Sequence, residues 1–314
     1  MFINALSHYL PEMVVSNAHF ENLNGLSNDW IVGRTGIQER RRASVQENTN
    51  TMAVEAVRQG LATLPYDVQE IDLIVGATYT PYDTIVTLAH VVQHDLQIPE
   101  IPVVSVSTAC SSLINAIEVV EGYFCMGKAR RALVVVSDHN TAYSNESDKI
   151  AGHLWGDGAA ALFISKERLS DSDLYIRDVL TGGAATVGKA IEGVTMRPLN
   201  GGVNMPQGRD VFQNAVIYMP KASRQVLQRN GLSVDDVDWV LPHQANFRIS
   251  KKVMEELGLP MEKLLSNIQY LGNTGCAGCA IGLDENKFRY QKGDRIIVTT
   301  FGGGYSYGAM LVEV

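Results

Sequence analysis

Val103-Val104-Ser105-Val106-Ser107-Thr108-Ala109-Cys110-Ser111-Ser112-Leu113-Ile114-Asn115-Ala116-Ile117 changes its period at one cysteine. Before it, Val103, Val104 and Val106 follow Pro102 as a short β-branched run, which predicts a buried strand. After it, Leu113, Ile114, Ala116, Ile117, Val119 and Val120 recur at helical spacing, with Ser111 and Ser112 in the first turn. Cys110 is therefore expected at a helix N-terminus, where unpaired N–H groups and the helix dipole favour a thiolate. A thiolate attacks acyl carbonyls. The plainer alternative is a buried small hydrophobe, as free cysteines often are.

Outward from this stretch, the chain alternates strands and helices. Residues 1–10 predict a first strand, and Ser16 and Asn17 can cap a helix through Leu23. Asp29–Arg42 packs arginines around Trp30; it reads either as a solvated turn or as an anion site beside an aromatic surface, suited to a nucleotide-bearing ligand. An amphipathic helix is expected over Thr51–Leu64, a strand over Ile71–Thr78 and a helix over Thr87–Leu96. Strands are expected at Ala132–Ser137 and, after Gly156-Asp157-Gly158, at Ala159–Ser165.

The second half repeats this order. Asp67–Val75 resembles Val234–Leu241, Arg131–Val136 resembles Arg295–Thr300, and Gly158–Leu162 resembles Gly308–Val312. In each half a long amphipathic helix, Thr51–Leu64 or Val211–Asn230, precedes the Asp-bearing strand. Three matches in one order imply an internal duplication, too long in period for a solenoid: two similar α/β halves packed together. The boundary is expected at Lys166–Asp173, giving residues 1–168 and 169–314. Gly182–Gly208 reads as a long surface loop.

The 314 residues are 46% hydrophobic and carry a net charge of −8, which argues against nucleic acid or an anionic membrane as main partner. No apolar run approaches a membrane span, and Met1–Ala5 shows no secretion signal. Four cysteines are too few for a disulfide framework and fit a reducing, cytoplasmic setting. Cys276 and Cys279 have CxxC spacing, but no second ligand pair is spaced to complete a metal site.

Pro242-His243-Gln244-Ala245-Asn246 follows the strand Asp238–Leu241. Leu271-Gly272-Asn273-Thr274-Gly275 reads as a strand-to-helix turn, the repeat's counterpart of the Cys110 turn. Singly, His243 is a loop histidine and Asn273 a turn residue. Together with a strand-end cysteine they supply a nucleophile, a base or donor, and a second donor. Phe301-Gly302-Gly303-Gly304-Tyr305 lets backbone N–H groups come close to a ligand and donate to an oxyanion beside Cys110.

These motifs, with Trp30–Ile37, Gly156–Ala159 and Gly208–Phe212, resemble the β-ketoacyl-ACP synthase III family of the thiolase superfamily along nearly the whole chain. The resemblance implies duplicated halves in five layers, α-β-α-β-α, assembled as a homodimer. Cys110 would take an acyl group from acyl-CoA as a thioester. His243 and Asn273 would stabilise the enolate formed when malonyl-ACP loses CO2, and attack on the acyl-Cys110 would give 3-oxoacyl-ACP, initiating fatty-acid synthesis. The N–H groups of Cys110 and Gly303 would form the oxyanion hole. Trp30, Arg34 and Lys149 would hold the CoA head, and Gly208, Phe212, Asn246 and Arg248 would line the pantetheine tunnel or its mouth. Ile85 stands near a pocket-closing Phe of some members, and a smaller residue there would open the primer pocket. CoA thioesters are substrates, and no metal or redox cofactor is required.

The chain departs from the pattern at Ser112, at Gly275–Cys279 and at Glu255 and Glu256, which follow Lys251 and Lys252 where basic residues often dock the carrier protein. The competing readings are a condensing enzyme or acyltransferase of secondary metabolism, with another primer or acceptor, and a non-catalytic partner subunit. Such a partner usually lacks the nucleophile. A hydroxymethylglutaryl-CoA synthase needs an acidic base, and a biosynthetic thiolase needs a second cysteine in the Gly-rich loop; Phe301–Tyr305 has none.

Overall fold

The computed structural model describes residues 1–314. Nine strands run in the order Trp239–Pro242, Arg295–Phe301, Ser306–Glu313, Leu174–Gly183, Phe2–Tyr9, Asp157–Ser165, Arg131–His139, Leu73–Ala77 and Val103–Val106. The ladder nearly breaks in the middle. Phe2–Tyr9 meets Leu174–Gly183 only at Phe2–Tyr175 and Ile3–Leu174. On one side lie five strands of the first half. On the other lie four of the second, and a single bridge from Val240 to Leu264 stands where a fifth would be. Each half combines parallel and antiparallel pairs in the same pattern: Leu73–Ala77 runs parallel to Arg131–His139, as Trp239–Pro242 does to Arg295–Phe301.

Helices fill three layers around these sheets. Thr49–Leu61 and Leu88–Asp95 cover the outer face of the first sheet through Met52, Val57 and Leu88. Gly208–Arg229 and Phe247–Leu257 cover the second through Met219, Val226 and Val253. Ser112–Cys125 and Gly278–Glu285 lie between, in the largest core cluster. Sheet contact on both sides explains why these two central helices are apolar nearly all round rather than on one stripe. The result is the α-β-α-β-α arrangement expected. Residues 166–173, the expected boundary, connect the strand ending at Ser165 to that starting at Leu174.

Three sequence expectations need correction. Gly182–Gly208 is not an unstructured loop: it holds a helical turn, Ala190–Gly193, and a ribbon of Thr195–Arg197 against Gly202–Asn204, elements too short to show a period. The arginine-dense segment is not one solvated face, because Glu39–Arg42 pairs antiparallel with Met13–Ser16 and buries Arg40 to 1% exposure. Residues before Asn273 form no strand; Ile268–Leu271 is a single helical turn. The helix expected from Thr51 starts at Thr49 because Asn48 caps it, accepting from Asn50 N and Thr51 N while Thr51 Oγ1 accepts from Asn48 N.

Candidate active site

Cys110, His243 and Asn273 line one cavity of about 350 Å³ together with Gly302, Gly303 and a mostly apolar wall. The strand Val103–Val106 ends four residues before Cys110, and the helix Ser112–Cys125 starts two residues after it. Ala109 takes φ +52°, a conformation costly for a residue with a Cβ, and so turns the chain sharply into Cys110. Ser112, where a small Gly is usual, accepts from Thr108 N at 2.9 Å and donates to Ala109 O at 2.6 Å, so its hydroxyl staples this corner.

The glycine loop closes on the corner from the second half. A Cβ on Gly302 would lie 2.7 Å from the Cys110 amide nitrogen, so only glycine permits this approach. The Cys110 N–H, part of no helix or strand, donates to no backbone carbonyl, and Cys110 lines the cavity.

The thiol does not behave as the helix dipole alone suggests. Burial, and then the Asp138 carboxylate, push Cys110 up to about 12. A hydrogen bond with Tyr79 pulls the other way but does not prevail. Resting Cys110 is therefore a neutral thiol, which corrects the expected thiolate. Asp138 is fully buried and accepts from Thr78 Oγ1 at 2.9 Å, Tyr79 N at 3.1 Å, Thr80 Oγ1 at 2.9 Å and Cys276 N at 2.7 Å. It ties the Thr78–Thr80 turn to the turn after Asn273. Gly275 makes room for this, since a Cβ there would stand 2.1 Å from Asp138 Oδ2 and 2.8 Å from the Tyr79 hydroxyl.

His243 follows the strand Trp239–Pro242 and is 4% exposed. Burial lowers it to about 4, so it is a neutral imidazole near pH 7, and its Nδ1 has no protein partner. Asn273 is held through both ends. Its N–H donates to Leu154 O at 2.8 Å, and its carbonyl accepts from Gly156 N at 3.0 Å. Its Oδ1 accepts from Gly275 N at 3.0 Å. That backbone donor fixes the amide's orientation and leaves Nδ2 as the group offered to a ligand.

The other expected residues divide. Gly208, Phe212 and Asn246 line the cavity, and Asn246 caps the helix Phe247–Leu257 by accepting from Arg248 N at 2.8 Å. Trp30, Arg34, Lys149 and Arg248 do not line it. Arg34 lies 4.6 Å over the Trp30 ring, making an aromatic and cationic platform on the helix Asn28–Thr35. Trp30 packs against the cluster that holds Leu154, Trp155 and Val203, three residues that do line the cavity, so the platform stands beside it. Lys149 and Arg248 are exposed. Ile85 is 83% exposed and does not line the cavity of its own chain, because the turn holding it faces outward.

Sequence reasoning missed Tyr79 and Asp138. Asp138 follows the expected strand Ala132–Ser137 as one more polar terminus; it lies within the strand Arg131–His139, and the sheet order brings it beside Cys110. Cys276 and Cys279 are buried at 1% exposure each, with their thiols directed at the carbonyls of Ala77 and Leu241.

Comparison with known proteins agrees with this geometry. Residues 104–179 match the family model 3-Oxoacyl-[acyl-carrier-protein (ACP)] synthase III, and residues 227–314 match its C-terminal counterpart. The chain is 33% identical to the β-ketoacyl-[acyl-carrier-protein] synthase III of Aquifex aeolicus over 307 residues, 97% of this chain and 96% of that one. It is 31% identical to that of Acholeplasma laidlawii over 314 residues, 99% and 98% of the two chains. The crystal structure of the Aquifex aeolicus protein superposes with a TM-score of 0.92, covering 100% of this chain and 99% of that one. This chain belongs to the β-ketoacyl-ACP synthase III family.

Proposed function

We propose that the protein catalyses decarboxylative Claisen condensation of an acyl-CoA primer with malonyl-ACP, giving 3-oxoacyl-ACP and initiating fatty-acid synthesis. The observation that carries the reading is the convergence of a thiol, a neutral imidazole and an oriented amide on one apolar cavity. Cys110 sulfur attacks the primer carbonyl, and its proton passes to the departing CoA sulfur. The tetrahedral oxyanion is met by the N–H groups of Cys110 and Gly303. In the second step the malonyl C–CO2 bond breaks. The electron pair moves onto the thioester oxygen as an enolate, which His243 and Asn273 Nδ2 stabilise by hydrogen bonds. The enolate carbon then attacks acyl-Cys110, and the sulfur leaves as a thiolate and is reprotonated.

A neutral histidine suits this step. It can donate one hydrogen bond to a developing enolate without first losing a proton to bulk water. The apolar wall disfavours the charged malonyl carboxylate and accepts neutral CO2, while the negative charge passes to the enolate held by His243 and Asn273; no metal or redox cofactor enters any step. Trp30 and Arg34 suit the CoA adenine and phosphates at the mouth, with Lys149 as a further cation, while Gly208, Phe212, Asn246 and Arg248 flank the pantetheine path.

The homodimer is part of the proposal. The strand Val103–Val106 is the last of its sheet and has an unpaired edge, beside which Tyr82, Ile85 and Val86 are 67%, 83% and 52% exposed. A second copy would pair this edge and cover these side chains; Ile85 would then reach a primer pocket only across the dimer. No helix is long and apolar enough to cross a membrane, and we place the enzyme in the cytoplasm.

The test is intact-mass spectrometry after incubation with acyl-CoAs from acetyl to medium-chain and branched, followed by malonyl-ACP. A mass gain on Cys110 discharged as 3-oxoacyl-ACP is the expected result. Acylation without discharge would point to another acceptor, and no acylation by any primer would overturn the reading.

A further inference from the structure

Arg40 is the largest fully buried side chain in the protein. None of its hydrogen bonds reaches a carboxylate. Nη1 donates to Val15 O at 3.1 Å and to Asn17 Oδ1 at 3.0 Å, and Nη2 donates to His153 O at 2.6 Å. Nε has no partner. The guanidinium lies 4.5 Å over the Phe20 ring. Burying a cation against neutral acceptors alone is costly, and a Met would fill such a core space at less expense. Its retention calls for a reason beyond packing.

The place it occupies supplies one. The His153 carbonyl it grips opens the segment 153–156, to which Asn273 is bonded through both its N–H and its carbonyl. Arg40 also stands directly behind the Asn273 turn. A Cβ on Gly272 would lie 3.0 Å from Arg40 Cβ, and one on Gly156 would lie 3.4 Å from it. At the far end of the same clamp, the His153 ring meets Trp30 edge-on at 5.4 Å. One side chain thus joins the first-half ribbon, the platform beside the cavity and the backbone of the catalytic amide.

We propose that Arg40 is a positioning residue for Asn273, setting the amide's place in the cavity by holding the segment 153–156. The inference rests on the condensing reading above. It separates the two half-reactions, because Cys110, Ala109 and Gly302 stand on elements that Arg40 does not touch. Acyl transfer depends on that corner, and decarboxylation depends on Asn273.

The experiment measures Cys110 acylation by intact mass, CO2 release from malonyl-ACP, and kcat and KM for condensation, in wild type, Arg40→Met and Arg40→Lys. A displaced catalytic group costs on the order of 100-fold in rate. For Arg40→Met, kcat and CO2 release should fall together by about that factor. KM for malonyl-ACP and acylation at saturating acyl-CoA should change less than about threefold. Arg40→Lys can still reach the His153 carbonyl and should recover roughly tenfold of the loss. Unchanged CO2 release in a folded Arg40→Met protein would overturn the proposal, as would acylation falling as far as CO2 release. If Arg40→Met does not fold, Asn17→Ala loosens the same clamp; it should show the same split at smaller size, and an equal loss of both half-reactions would overturn it. Failure of wild type to condense would instead count against the reading beneath.

Discussion

Cys110 and Asn273 each precede a helix of the central layer, one in each half of the duplication, yet the chain arrives at them differently. The Cys110 corner keeps a regular strand, a five-residue turn and a helix, with the strain confined to Ala109. The Asn273 corner has no strand before it. A single bridge at Leu264 and one helical turn lead into a position held by bonds to 154–156 of the other half. A nucleophile needs its own backbone N–H free and a helix behind it, and a strand-to-helix corner supplies both. An amide donor needs only to be aimed, and cross-half bonding aims it without local regularity. The duplicated corner persists where the chemistry uses its geometry and dissolves where it does not.

The largest test of this contrast exchanges each residue for alanine. Cys110→Ala should abolish acyl-enzyme formation outright, read as no mass gain with any acyl-CoA. Asn273→Ala should leave acylation within about threefold of wild type and slow condensation by on the order of 100- to 1,000-fold, the loss typical for one oxyanion donor. Normal condensation by Asn273→Ala would erase the division of labour.

Gly302→Ala sharpens the Cys110 side. The added methyl would stand 2.7 Å from Cys110 N and 3.2 Å from Ala109 Cβ. Neither neighbour is the end of a flexible side chain, so the loop must withdraw. Acylation should slow roughly 10- to 100-fold, with the thermal midpoint lowered by a few degrees. A change confined to the condensation step would show that the loop serves Asn273's side instead.

This contrast also explains what could be read in advance. The Cys110 corner was legible because a β-branched run and an apolar helix meet there, and both periods are long enough to detect. The duplication was legible from the Asp-bearing strands, since Asp72 and Asp238 each accept from the first N–H groups of a neighbouring strand, at Arg131 and Arg295. Asn273 was legible as a residue but not as a local structure, because its frame is built from residues 154–156. Arg40 sat in view among the four arginines of Asp29–Arg42; nothing in its neighbours' spacing distinguishes a buried guanidinium from a solvated one. The neutral state of Cys110 was hidden for the same reason: it depends first on burial and then on Asp138, brought beside it by strand order.

The two buried histidines extend the comparison to pH. His243, beside the cavity, and His153, behind it, both fall from 6.5 to about 4, His243 by burial and His153 by burial and then Arg40. Below pH 6.5 the unfolded chain binds protons that the folded chain refuses, so stability is full above that pH and is lost as pH falls toward 4. Each group should remove about 2 kcal/mol by pH 5. Denaturant midpoints at pH 7.5 and pH 5 should therefore converge in His243→Asn and His153→Asn relative to wild type. An unchanged gap would mean that these rings are protonated in the fold.

The smallest effect bears on Tyr79, whose hydroxyl donates to Asn140 Oδ1 and faces the Cys110 thiol. Iodoacetamide reacts with the thiolate, so its rate follows the thiolate fraction. For a thiol held near 12, log rate should climb with unit slope from about pH 7 to 10 and show no plateau. A thiol governed by the helix dipole would level off below about pH 8, which would reverse the balance between Asp138 and the helix. Tyr79→Phe removes the larger of the two hydrogen bonds that oppose the carboxylate, the other coming from the Cys110 backbone, so alkylation at a given pH should slow by roughly threefold, about half a pKa unit. If Tyr79→Phe were instead alkylated faster, the phenol would be shielding the sulfur rather than easing its ionisation, and the Cys110 corner would owe its resting state to steric cover as much as to charge.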